Sequence, residues 1–339
     1  MLRIPQDFRN LTGHHRPRLA SGVSVSLDER VTLVSGSERQ PLLIGKKPEW
    51  FKVRRNHGEN YIELKQIMRS KGLHTVCEEA RCPNIYECWN KRTATFMILG
   101  DRCSRACRFC SVAWGRPNTV DETEPAKVAH AVEQMGLKFA VVTSVNRDEL
   151  PDGGAWIFAE TIREIRERLP DCGVEVLTPD FMGNWDALQS VLDAGPDVLN
   201  HNIETVPRLF KPVQPWSNYQ RSLDFFEEAR KRDQNMITKS GLMVGLGESK
   251  DEVIEVMKEM RERDVDILTL GQYLPPSKRH YPLHRYYTPE EFAEFKEIGE
   301  EMGFGHVESG PMVRSSYHAG DQVAELRRMR EKKSGRLQA

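Results

Sequence analysis

"TFMILGDRCSRACRFCSV", residues 95–112, runs from an apolar stretch into three cysteines packed within eight positions, Cys103, Cys107 and Cys110. The first six residues, closed by Gly100, have the length and composition of a buried strand. The same short apolar run recurs further on, as "KFAVVTS" (138–144), "VEVLTP" (174–179), "DVLNHNIE" (197–204), "ITKSGLMVGL" (237–246) and "VDILTLGQYL" (265–274). Between the runs lie "EPAKVAHAVEQMG", "WIFAETIREIRERLP", "WDALQSVLDAG", "RSLDFFEEARKR" and "KDEVIEVMKEMRER", each long enough for a helix and several ending in Gly or Pro. Near-continuous apolar strands alternating with helices predict a parallel sheet covered by helices. Six such units fit an α/β fold of the incomplete (β/α)6 TIM-type barrel better than a full eight-stranded one. A doubly wound open sheet stays open as the second reading, because one sequence does not fix strand order.

The surroundings of this barrel follow from composition. Lys plus Arg number 49 against 50 for Asp plus Glu, so no global field marks a nucleic-acid coat or a membrane-surface protein. Residues 1–58 are the exception, with eleven Lys or Arg and five Asp or Glu. They read either as a solvated arm or as a surface for an acidic partner. No apolar run approaches the roughly 18 residues of a membrane helix, and no hydrophobic signal core opens the chain. Arg3, Arg9, Arg16 and Arg18 faintly resemble a transit peptide, but Pro5, Gly13 and Pro17 interrupt any amphipathic helix there. A soluble, cytoplasmic protein is the expectation, with no nucleic-acid or membrane partner.

Six of the seven cysteines fall between Cys77 and Cys110. Disulfides would be spread in pairs over a small secreted chain, whereas clustering in a chain of 339 residues favours metal. Cys172 stands apart and reads as a small buried hydrophobe. Structural zinc wants four protein ligands, usually as two pairs, and "CSRACRFC" offers three with no fourth nearby. Three thiolates are what a four-iron cluster shows when its last iron is kept for something that is not protein. Upstream, "CEEARCPNIYECW" adds Cys77, Cys82 and Cys88 as a second set of three, preceded by a short helix that would place Ile62, Leu64, Ile67 and Met68 on one side. Taken alone, that second set would also suit zinc with a distant ligand.

The C-x3-C-x2-C spacing, with Phe109 before the third cysteine, resembles the radical S-adenosylmethionine superfamily. That resemblance implies a [4Fe-4S] cluster on Cys103, Cys107 and Cys110 whose open iron chelates S-adenosylmethionine and, once reduced, cleaves it to a 5′-deoxyadenosyl radical. Both cysteine groups together, in this order, resemble the lipoyl synthase family across most of residues 48–320. "TSVNRDELPDGGA" (143–155), "LNHNIETVPRL" (199–209), "TKSGLMVGLGE" (238–248), "LTLGQYLPPSKRHYP" (268–282) and "GPMVRSSYHA" (310–319) carry the likeness further. It implies a second [4Fe-4S] cluster on Cys77, Cys82 and Cys88, with Ser316 as fourth ligand and Ser315 the lesser choice. It implies insertion of two sulfurs, taken from that auxiliary cluster, at C6 and C8 of an octanoyl group on a lipoyl-carrier domain. Further partners implied are an electron donor such as flavodoxin or ferredoxin and an iron-sulfur carrier that rebuilds the auxiliary cluster.

Other residues are placed less uniquely. Asn146, Arg147 and Asp148 follow the second strand and either reach the barrel mouth, contacting the cofactor, or belong to a tight turn on Pro151, Asp152, Gly153 and Gly154. Asn202 and Glu204 either bind the ribose of the cofactor or cap the next helix. "GLMVGLGE" resembles a glycine-bearing strand end that lets a cofactor approach the backbone. Lys278, Arg279 and His280 lie at the rim, towards a carrier domain, or form a solvated basic loop. The expected organisation is an N-terminal extension (1–47), an auxiliary-cluster segment (48–94), the partial barrel (95–288), a C-terminal helix with the Arg-Ser-Ser-Tyr segment (289–320) and a charged tail (321–339). A biotin synthase has a different cysteine order, a methylthiotransferase usually carries an added RNA-binding domain, and a zinc-dependent binding module is the remaining rival.

Overall fold

The computed structural model describes residues 47–51, 58–71, 74–79 and 82–333. Residues 1–46 and 52–57 of the basic N-terminal stretch and the end of the charged tail lie outside the described residues.

Seven parallel strands follow one another around the sheet in chain order: Thr93–Ile98, Phe139–Ser144, Gly173–Leu177, Val198–Asn200, Ile237–Val244, Ile267–Gln272 and His306–Gly310. A two-residue strand, His74–Thr75, runs antiparallel along the first. Every apolar run singled out in the sequence is a strand, and the five intervening segments are helices. Strand order never reverses, so the doubly wound alternative, which needs a switch point, is not adopted. The barrel is incomplete as expected but has seven parallel strands rather than six. The seventh, His306–Gly310, pairs with Ile267–Gln272 over its whole length, yet Val307 is its one fully buried apolar residue. Without an apolar run it leaves no strand pattern to read.

Helix Glu59–Lys71 forms as expected, with a different buried face. Tyr61, Leu64 and Met68 turn inward at helical spacing, while Ile62 is 50% exposed. The charged tail also differs from expectation, because its boundary at 320/321 cuts through helix Ala319–Lys333. Val323 and Leu326 of that helix pack with Val198, Ile237 and Ile267, the first residues of three strands, and with Phe139. Arg327 and Arg330 then bind Asp197 (2.5 Å) and Asp266 (2.6 Å). A sequence that reads as solvated charge thus closes the N-terminal end of the barrel, leaving the C-terminal end for chemistry.

Candidate metal centres

The first strand turns sharply through Leu99 (φ 69°) and Gly100 (φ 93°) into the cysteine loop. Arg102–Cys103 pairs with Ala113–Trp114, closing a loop that presents Cys103, Cys107 and Cys110 together. The Cys103 sulfur accepts from the backbone N–H of Arg105 (3.4 Å) and of Asn146 (3.3 Å), so the loop is sewn to the end of the second strand. Arg105 is buried within the loop and grips both oxygens of Asp148 at 2.8 Å and Asp180 at 2.6 Å. Arg221 holds the other Asp180 oxygen at 2.7 Å. Burial would raise the Asp180 pKa, but the hydrogen bond and charge of Arg105 outweigh it and hold the carboxyl down to about 2. Burial, reinforced by neighbouring thiols, pushes Cys107 well up and Cys110 to about 11. Any metal taken up here must therefore displace protons.

The residues expected at the cofactor divide. Glu204 adopts φ 70° and is tied by its backbone to Gly241 and Met243 at 2.9 Å each. Burial raises its carboxyl to about 7, against a smaller opposing effect of the Asn202 amide, which donates to it at 3.2 Å. Both Cys107 and Cys110 feel the Glu204 charge, which places the carboxyl beside the thiols. Neither Asn202 nor Glu204 caps the following helix, Pro207–Val213, whose N-cap is Val206. The Asn202 carbonyl oxygen is buried and without a partner, an acceptor left for a donor such as a sugar hydroxyl. Arg147 departs from expectation: its guanidinium is buried on the carbonyls of Leu99 (2.9 Å) and Asn118 (2.8 Å) and on Glu149, so it buttresses the turn beneath the loop. The turn reading is also realised, with Asp152 accepting from Gly154 and Trp156 at the start of the next helix. Within "GLMVGLGE" the last four residues form a closed turn. Glu248 accepts from the N–H groups of Gly245 and Leu246, and a side chain at Gly245 would collide with Gln272 and the Arg285 carbonyl.

The second set of thiols forms a separate pocket. Cys77, Cys82 and Cys88 line it with Asn84, Thr95, Arg314, Ser316 and Tyr317; Ser315 does not. Residues 311–318 reach it as a strap from the far edge of the sheet. Asn84 holds the Met312 carbonyl at 2.7 Å, Glu87 accepts from Tyr317 (3.1 Å) and His318 (2.9 Å), and Thr95 donates to the Ser316 hydroxyl at 2.9 Å. Gly271 lets the strap pass, since a Cβ there would stand 2.2 Å from the Val313 carbonyl oxygen. Burial, then the neighbouring Cys82, raises Cys77 to about 11, and burial pushes Cys82 and Cys88 upward as well. Trp89 and Thr95 favour the Cys77 thiolate, and the buried Trp89 N–H has no conventional acceptor. Arg314, half-buried, adds a cation within electrostatic reach of Cys82. Three thiols, a hydroxyl, an indole N–H beside Cys77 and a half-buried cation suit an anionic sulfur-rich cluster. Among the described residues no three His, Cys, Asp or Glu side chains converge on a point fit for a single metal ion.

The sequence matches the radical SAM superfamily over residues 97–260 and the N-terminal domain of lipoyl synthase over residues 7–82, a match that spans the boundary expected at 47/48. It is 60% identical over 282 residues to the lipoyl synthase of Rubrobacter xylanophilus, covering 83% of this chain and 88% of that one. The chain belongs to the lipoyl synthase family. Other lipoyl synthases are nearly as similar, among them that of Chloroflexus aggregans, 58% identical over 81% of this chain and 90% of that one. The crystal structure of methylornithine synthase is a looser likeness, with TM-score 0.48 and 12% identity over 73% of this chain and 81% of that one. As a lipoyl synthase the chain is a radical SAM enzyme, using a four-iron cluster and S-adenosylmethionine and acting on lipoyl-carrier substrates. Among its described residues no helix is long and apolar enough to cross a membrane. Several residues of this lipoyl synthase's sites carried no sequence signal of their own. Thr95 is one of two threonines in an otherwise apolar strand, and Asp180 lies 75 positions from the arginine it binds.

Proposed function

We propose that this lipoyl synthase holds the S-adenosylmethionine cluster on Cys103, Cys107 and Cys110 and an auxiliary [4Fe-4S] cluster on Cys77, Cys82, Cys88 and Ser316, and inserts two sulfurs at C6 and C8 of an octanoyl group on its carrier, in the cytoplasm. When bound, these groups supply a primary carbon radical that takes hydrogen from unactivated C–H bonds, and the sulfur that replaces it. The chain's own residues hold and orient. Arg105, locked by Asp148 and Asp180, fixes the cysteine loop against the barrel, and the N–H groups of Arg105 and Asn146 steady the Cys103 sulfur. Asn202 and Glu204 offer a buried carbonyl and a carboxyl of raised pKa for the polar part of S-adenosylmethionine. Arg147 serves these only indirectly, through the turn it supports.

One observation carries the reading: the Ser316 hydroxyl, brought by the strap, joins the pocket lined by the three upstream cysteines. A hydroxyl is a weaker iron ligand than a thiolate, which suits a cluster that gives up sulfur. The test is anaerobic reconstitution with iron and sulfide counting, then turnover of an octanoyl-lysyl peptide. About eight irons and two 5′-deoxyadenosines per lipoyl group support the reading; four irons, or product without loss of cluster sulfide, refute it. The electron donor is taken to be a small protein such as flavodoxin or ferredoxin, and an iron-sulfur carrier is taken to renew the auxiliary cluster.

A further inference from the structure

Residues 102–116, 207–216 and 274–285 contain nine Lys or Arg and no Asp or Glu, in a chain whose totals are 49 Lys or Arg against 50 Asp or Glu. The fold brings these three stretches together on the loop of Cys103, Cys107 and Cys110. The Arg108 N–H donates to the Val213 carbonyl at 2.8 Å, Tyr281 donates to the Arg108 carbonyl at 2.7 Å, and His280 binds the Cys110 carbonyl at 3.0 Å. Arg105, Arg208 and Arg285 are spent on Asp148 and Asp180, Glu252 and Glu291. The other six, Arg102, Arg108, Arg116, Lys211, Lys278 and Arg279, are exposed and form no ion pair among the described residues. Two large exposed apolar side chains belong to these stretches, Trp114 (69% exposed) and Trp216 (61%). Unpaired cations around exposed aromatics are the composition of a transient protein-docking face.

We propose that this face docks an acidic one-electron carrier protein that reduces the cluster at the Cys103–Cys107–Cys110 site. The inference rests on the proposed function, in which each radical requires one electron. Position decides between the two acidic partners the chemistry involves. An octanoyl arm must reach both thiol sets, whereas an electron needs to reach only one of them. The first of these stretches is the loop that carries one thiol set, the other two are hydrogen-bonded to it, and none of the three lines the pocket of the other set. Long-range attraction then speeds encounter, and the tryptophans provide contact area.

The test compares wild type with the triple variant Arg116→Glu/Lys211→Glu/Lys278→Glu, none of whose residues touches the thiols. Formation of 5′-deoxyadenosine is measured in three arms: dithionite with an octanoyl-lysyl peptide, reduced flavodoxin of low isoelectric point with the same peptide, and dithionite with an octanoylated carrier domain. The flavodoxin arm should fall about tenfold or more, with the dithionite arms within about twofold of wild type. An undiminished flavodoxin arm overturns the proposal, and a loss confined to the carrier-domain arm hands the face to the substrate carrier instead. If the variant is weak in every arm, the wild type decides through salt. Its flavodoxin arm must decline as ionic strength shortens screening below roughly 8 Å while its dithionite–peptide arm does not, and parallel curves overturn the proposal. Inactivity of wild type with dithionite and peptide would instead count against the proposed function itself.

Discussion

The Thr95 hydroxyl donates to the Ser316 hydroxyl across 2.9 Å, joining the first barrel strand to a residue 221 positions later. The bond orients the serine oxygen within the three-cysteine pocket. Thr95→Val should keep the strand's shape and free that oxygen. Loss of such an orienting partner typically weakens metal binding about 10–100-fold. Sulfur insertion should fall by a similar factor while 5′-deoxyadenosine still forms, as read by product analysis and iron counting. Ser316→Ala should do the same more severely, and Ser316→Cys should retain iron but resist giving up sulfur. Wild-type lipoyl formation by Ser316→Ala would remove the serine from the ligand set.

Gly271→Ala tests the strap from its other side. The new methyl meets backbone at the Val313 carbonyl, so the strap itself must shift. The expected result is about four irons lost per chain, with the S-adenosylmethionine cluster spectrum unchanged. An intact second cluster in this variant would show that the strap does not govern it.

The Arg105 clamp yields a pH prediction. Asp180 stays ionised in the fold down to about pH 2, whereas an unperturbed carboxyl protonates near 3.8. Its stabilisation is therefore complete above that ordinary pKa and disappears as pH falls towards 2. Asp180→Asn should flatten this part of the stability curve, followed by urea midpoints from about pH 5 to 2. At neutral pH it should cost about 3 kcal/mol, because Arg105 is left with only Asp148 inside the protein. Arg105→Lys should recover stability in part but not the two-pronged geometry, so the cluster potential should shift even where folding is rescued.

Leu326→Ala tests the C-terminal helix. The side chain is 3% exposed against the strand starts, so truncation should cost roughly 2–5 kcal/mol in denaturant unfolding. Arg327→Ala and Arg330→Ala should cost less, because both side chains are partly exposed. Since the helix continues directly from the strap, all three should also loosen the second cluster. Unchanged iron content in Leu326→Ala would separate the helix from the site.

The fold was legible wherever burial wrote itself as an apolar run, and the spacing of Cys103, Cys107 and Cys110 was legible because local chemistry fixes it. His306–Gly310 was hidden because its side chains are mostly polar, and Ala319–Lys333 because only a few apolar residues among many charges seat it. Arg147 shows the limit of reading by position. A polar residue after a strand can turn to a ligand or to stray carbonyls, and only the folded turn at Leu99 and Asn118 decides. The Arg105–Asp180 clamp was invisible for a related reason, since ion pairs between distant loops leave no periodicity behind.

The strap also sets a timetable. The pocket of Cys77, Cys82 and Cys88 lacks a wall until Arg314, Ser316 and Tyr317 have been synthesised. At roughly 5–20 residues per second, the 221 positions between Thr95 and Ser316 correspond to some 10–45 s of translation. A nascent chain thus carries three exposed thiols before it has the means to enclose them. Closure of the pocket therefore waits for nearly the whole chain, and a chain cut short before residue 316 lacks that wall.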